Sequence, residues 1–196
     1  MKMENNLEDI YYSKEYQVES KIHSERFLFI QWIVDLICVT EALIDKYDRW
    51  YLQIFYIKLA GLFEMLKKDS SISLSEDKYI QKNKKHLNSI YNSLTNDECI
   101  YIIYRRDCVA HPIQNAYDIY HASGDKIVKQ RDCNIKGEKV TLSREDIDRA
   151  IGNILESHGN IDKNCDIDIV KKVFPFISQM KEGLYEKYIE SLAFFE

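Results

Sequence analysis

Apolar residues recur along most of this chain at the three-and-four spacing of α-helices. Over residues 20–46, Phe27, Ile30, Val34 and Ile37 share one face with Glu41, while Phe29, Ile33, Leu36 and Leu43 load a second. A helix apolar on two sides lies centrally in a bundle or in a subunit interface. A second helix is predicted over 49–68. Leu52, Phe55, Leu59, Leu62 and Leu66 form its stripe, and Lys67 and Lys68 suit the negative end of its dipole. A polar connection over 69–73 leads to Ser75, which offers a cap for a third helix over 76–94 with Ile80, Leu87, Ile90 and Leu94 as its apolar positions. Thr95-Asn96 caps a fourth helix over 97–110.

The pattern changes over 113–142. Ser123-Gly124-Asp125 and Lys136-Gly137-Glu138 are turn signals, and 126–130 with 139–142 read as a small hairpin. Ser143 with Asp146 forms a capping box for a helix to 157, closed by Gly159. A last helix is predicted over 166–192, with Ile169, Val173, Ile177, Met180, Leu184 and Tyr188 on one side and a break or kink at Pro175. Residues 1–19 read as a polar lead with one short helix near 7–12. The expectation is a single all-α domain over 1–196, a bundle of five to seven helices with a small irregular or β-hairpin insertion near 113–142.

Composition agrees with this reading. Two prolines and six glycines in 196 residues favour long helices over many short strands. A net charge of −5 excludes a strongly basic nucleic-acid footprint overall, although a local cationic cleft can sit on an acidic body. The five cysteines are widely separated, which argues against a disulfide framework and a zinc knuckle. No secretory signal is read in the polar, acidic opening. The apolar run 27–39 is interrupted by Gln31 and Asp35, and it reads as too short and too polar to span a bilayer. The expected location is the cytoplasm, with no membrane partner.

Candidate chemistry concentrates in Tyr104-Arg105-Arg106-Asp107-Cys108-Val109-Ala110-His111-Pro112. Arginine offers a permanently charged fork suited to phosphate, and histidine exchanges protons near neutral pH. Pro112 disfavours helical geometry at His111 and so places it at the helix end. Residues five apart on a helix point about 140° apart, so Arg106 and His111 need not touch and are better read as lining the rim of a cleft that another surface completes. The structural alternative pairs Arg106 with an acid and leaves His111 satisfied at a helix terminus. Arg105 is either a second phosphate contact or a solvated arginine on the opposite side of the helix. Lys82, Lys84, Lys85 and His86 form a basic stretch that either helps hold RNA or is simply a solvated face. Asp162, Asn164, Asp166 and Asp168 alternate as in a calcium loop. The required glycine is absent, with Ile167 there instead, and no glutamate closes the loop. Helix capping by Asn164 or Asp166 is the preferred reading. His23, His86, His121 and His158 lack metal-ligand spacing, and no Walker loop, dinucleotide fingerprint, zincin motif or nucleophile elbow is found.

The nine-residue string resembles the signature of the HEPN superfamily of small all-helical proteins: an arginine, a polar residue, then a histidine four to six positions on. Asp107 fills the polar position, and Val109-Ala110 is the usual small apolar filling. The resemblance covers about a dozen residues by motif and the rest only by helical architecture. It implies a homodimer whose two motifs meet in one RNA-cutting cleft, with no cofactor or metal. His111 would act as general base or acid, Arg106 would stabilise the transition state, and Asp107 would orient its neighbours. Arg105, Lys84 and Lys85 would contact substrate. Toxins of this superfamily that are silenced by a nucleotidyltransferase antitoxin often carry a tyrosine two residues after the histidine. Ile113 stands there in this chain, which puts that regulation in doubt. The reading is therefore an endoribonuclease of toxin or antiviral-defence type, with an antitoxin or regulatory protein as a further partner. The alternative is a non-catalytic helical module for protein interaction or nucleotide binding, with the aromatic-rich first two helices as its working surface.

Overall fold

The computed structural model describes residues 14–67, 70, 75–110, 130–181, 183, 184, 186, 187 and 189. Within them lie six helices and one hairpin: α1 (Lys14–Asp45), α2 (Arg49–Met65), α3 (Lys78–Ser93), α4 (Asn96–Ala110), β1 (Gln130–Ile135), β2 (Glu138–Ser143), α5 (Arg144–Ser157) and α6 (Asp162–Gln179). The all-α bundle with a small β insertion is what the hydrophobic pattern predicts.

α1 is the central strut, packed against α2, α3 and α6. Phe29, Ile30, Ile33, Leu36 and Ile37 are buried, and both predicted apolar faces find partners. The helix begins about six residues earlier than its pattern suggests. The helix stretch Gln17–Asp45, 29 residues, is long and apolar enough by length and composition to cross a bilayer, its most apolar 18-residue window having a mean hydropathy of 2.0. The interruptions at Gln31 and Asp35 had argued otherwise. Core helices share this property. Here 44% of that apolar window is buried within the bundle, and Asp35 pairs with Lys58 of α2 at 2.5 Å.

Caps set most helix starts. Asp48 accepts from the amides of Trp50 and Tyr51 to open α2. α3 starts two residues later than predicted, because Asp77 rather than Ser75 is its cap, accepting from Tyr79 and Ile80. Asp77 is buried and also receives Arg26 Nε of α1 at 2.6 Å, which ties cap to core. Thr95 and Glu98 exchange bonds at the start of α4, with Thr95 N donating to Glu98 at 2.6 Å and Glu98 N donating to Thr95 Oγ1 at 3.1 Å. Glu98 also receives Lys172 of α6 at 2.8 and 2.9 Å, locking α4 to α6. The Ser143–Asp146 capping box opens α5 as expected.

The described first strand runs 130–135; residues 126–129 of the expected strand, with the rest of 111–129, lie outside the described residues. The turn is Lys136-Gly137, with both residues at positive φ. Cys133, Ile135 and Leu142 are buried, and Asn134 donates to the Phe63 carbonyl at 2.8 Å, pinning the hairpin to the end of α2. α6 also departs from its prediction. It opens at Asp162, four residues early, and carries Pro175 inside it without ending there. The predicted short helix near 7–12 lies outside the described residues.

Candidate nucleic-acid site

The motif occupies the last turn of α4. This helix packs chiefly on α2 and α5. Cys99, Tyr101, Ile102 and Ile103 are buried and fix its rotation. That rotation sends Arg105 and Arg106, about 100° apart, into different surroundings.

Arg106 Nε lies 2.7 Å from Asp107 Oδ1. The arginine side chain is 24% exposed and the aspartate 2%. No other ion pair or hydrogen bond engages the arginine among the described residues. A buried carboxylate thus lies against the guanidinium as an ion pair, without an aligned hydrogen bond at Nε, while part of the fork still reaches solvent. His111 lies outside the described residues.

Arg105 is not a solvated arginine. It pairs with Asp166 at 3.2 Å and Asp162 at 3.5 Å, both from α6. Its guanidinium lies 5.6 and 5.8 Å from the ring centroids of Tyr56 and Tyr101. Asp166 is fully buried and is the hub of the cluster. It accepts from Tyr56 at 2.5 Å, Tyr101 at 3.2 Å and Tyr47 at 3.4 Å. Burial pushes its carboxyl above the usual carboxylate value, and Arg105 and the two closest tyrosines pull only partly against that. Burial, then Asp166, pushes the Tyr56 hydroxyl well up, so it stays a proton donor. Burial works against the charge on Arg105, but Asp166, Tyr101, Tyr56 and Asp162 outweigh it and raise its pKa.

The preferred capping reading of this acidic run is corrected. Asn164 and Asp166 both lie inside α6, whose first-turn boundary residue Ile161 makes no side-chain cap bond. Desolvated Asp166 is instead the anchor of a network that joins α2, α4, α6 and the α1–α2 connection. The signal was available in part: Tyr101 and Arg105 stand four apart on α4, and Asp162 and Asp166 four apart on α6, giving complementary edges.

The chain was compared with known proteins: no protein-family model, no curated protein and no solved structure matches it.

Lys85 is exposed and Lys84 half-buried on α3, which packs chiefly on α6 and α1. Their helix and the Arg106 helix therefore have different principal neighbours. No group of three or more His, Cys, Asp or Glu side chains converges as a metal site among the described residues. Two shallow cavities flank the Asp166 hub. One of about 220 Å³ is lined by Leu43, Tyr47, Asp166 and Lys171 among others. The other, about 190 Å³, lies between α2 and α4 and reaches Cys108 and Val109, the two residues before Ala110.

Proposed function

We propose that this chain is a metal-independent endoribonuclease of HEPN type, a toxin or antiviral-defence effector that cuts RNA at a site completed by a second copy of itself. The observation that carries the reading is the ion pair of buried Asp107 with Arg106 in the last turn of α4, with His111 five residues on in sequence and part of the arginine fork still accessible. Such a fork is oriented before substrate arrives, which is what electrostatic stabilisation of a transition state requires.

In this reading the RNA 2′-hydroxyl attacks the adjacent phosphorus as a base removes its proton. The P–O5′ bond breaks and the leaving oxygen takes a proton, giving a 2′,3′-cyclic phosphate and a 5′-hydroxyl. His111 serves one or both proton transfers and Arg106 neutralises the charge building on the phosphate oxygens. An acidic body with a local cationic site suits a partner that masks the cleft, such as an antitoxin or regulatory protein.

The test compares wild type with His111→Ala and Arg106→Ala on labelled RNA in the presence of chelator. Each variant is expected to lose roughly 10²–10⁴-fold in cutting rate. Undiminished cutting by His111→Ala overturns the proposal.

A second reading is favoured by two observations. Arg106 already contacts an acid, and α2 presents Trp50, Ile54 and Ile57 to solvent at helical spacing. Those features suit a non-catalytic interaction or nucleotide-binding module. A wild-type protein that leaves RNA intact under all conditions while binding a partner through α2 supports it.

A further inference from the structure

The cavity between α2 and α4 is lined by Arg49, Leu52, Gln53, Tyr56, Arg105, Cys108 and Val109. Two of these are arginines, and they differ in kind. Arg105 is immobilised by Asp162 and Asp166 and spends much of its charge on them. Arg49 is exposed at the start of α2 and makes no ion pair among the described residues. Beside it stands Trp50, 75% exposed. Residues three apart on a helix are neighbours, so Trp50 shares one edge of α2 with Gln53, which lines the cavity. Lys163 of α6 lies 4.9 Å from the Tyr47 ring centroid and adds a further cation near this end of the bundle.

An indole left in water beside an unpaired guanidinium and a cavity holding a second, fixed one matches the requirements of a single-stranded nucleic acid. The aromatic face stacks a base without regard to sequence, and the cations take the phosphate. We propose that this cavity and Trp50 form a subsite for one nucleotide of a single-stranded RNA, with its phosphate against Arg49 and Arg105 and its base stacked on Trp50. The inference deepens the ribonuclease reading and rests on it for the identity of the ligand. Cys108 and Val109 line the subsite within one turn of Arg106, so a strand seated there leads toward the motif.

The experiment measures binding of a short 2′-O-methyl oligouridine, which the blocked 2′-hydroxyl protects from cutting, by anisotropy and by tryptophan quenching. The chain has two tryptophans, and Trp32 is half-buried against Gly61. Quenching is therefore expected to come from Trp50 and to vanish in Trp50→Phe. Trp50→Ala is expected to weaken binding about tenfold or more without changing thermal stability. Arg49→Ala is expected to lower the slope of log affinity against log salt by about 0.7. A duplex of the same strand, whose bases are already stacked, is expected to leave Trp50 unquenched.

Unchanged oligonucleotide affinity in both Trp50→Ala and Arg49→Ala overturns the subsite even if the wild type cuts RNA. Conversely, binding through Trp50 by a wild type that never cuts sustains the subsite and removes the ribonuclease reading. Trp50 fluorescence that is shielded without RNA, in proportion to protein concentration, assigns Trp50 to a contact between copies of the chain and overturns the subsite.

Discussion

The Tyr56 hydroxyl donates to Asp166 Oδ1 at 2.5 Å, joining α2 to α6 across 110 positions of sequence. Both groups are buried, and Arg105 of α4 closes the same cluster from the other side. A carboxylate buried this deeply persists only where several donors and a counter-charge replace its water.

Removing that carboxylate leaves Arg105 largely shut away from water with only Asp162 as a partner. Asp166→Ala is expected to cost about 2–4 kcal/mol, at the lower side of the range for a broken buried pair because Arg105 is about a quarter exposed. Asp166→Asn keeps an acceptor for the tyrosines and is expected to cost less. Tyr56→Phe deletes one hydrogen bond and is expected to cost about 1–2 kcal/mol. Urea unfolding midpoints order the three variants.

The same residue gives a pH signature. Burial raises its carboxyl above the ordinary value of 3.8, so between that value and the raised one the native state holds more proton than the unfolded chain. Its contribution to stability therefore falls as pH rises through that window. Asp132 and Asp146, both lowered by hydrogen bonding, act in the opposite direction, which makes the difference between wild type and Asp166→Asn the informative quantity. That difference is expected to shift steadily against the wild type with rising pH and then level off. A difference independent of pH contradicts it.

Gly61 marks the closest approach of α2 to α1. A Cβ added there would lie 2.2 Å from Trp32 Cζ2, and the indole is anchored by its Nε1 donating to the Lys58 carbonyl at 2.8 Å. Gly61→Ala is expected to cost about 1–3 kcal/mol despite better helix propensity. Gly152 of α5 has nothing within 4 Å of its added Cβ, so Gly152→Ala is expected to gain about 0.5–1 kcal/mol. Opposite signs in thermal melts check the pair.

The thiols are expected to react in order of exposure. Cys38 is exposed and Cys108 partly so, while Cys99, Cys133 and Cys165 are buried. Burial pushes the Cys99 thiol up to about 12, leaving almost no thiolate at pH 8. Titration with a disulfide reagent is expected to show one fast and one slower thiol in the native protein and the other three only on unfolding. A fast-reacting Cys99 contradicts the packing of α4.

How legible each part was follows from how local its cause is. The Ser143–Asp146 box and the Thr95-Asn96 start of α4 are written in neighbouring residues, and so were readable. The α3 cap was misplaced by two residues because Ser75 and Asp77 are both capping types. A distant residue, Arg26, pairs with Asp77, which is the one that accepts the first-turn amides. Arg106 and Asp107 were legible as a motif. The fate of Arg105 was legible only as two complementary helix edges, since which acidic helix lies opposite it is set 61 residues away.

Sequence by itself determined that this chain forms helices, roughly where they begin and end, and which faces turn inward, because hydrophobic periodicity and capping act within a few residues. Only tertiary structure decided what the charged groups do. The fate of Asp166, Arg105 and Trp50 depends on which helix lies opposite, and burial fixes whether a charge must be paired or an aromatic ring left in water.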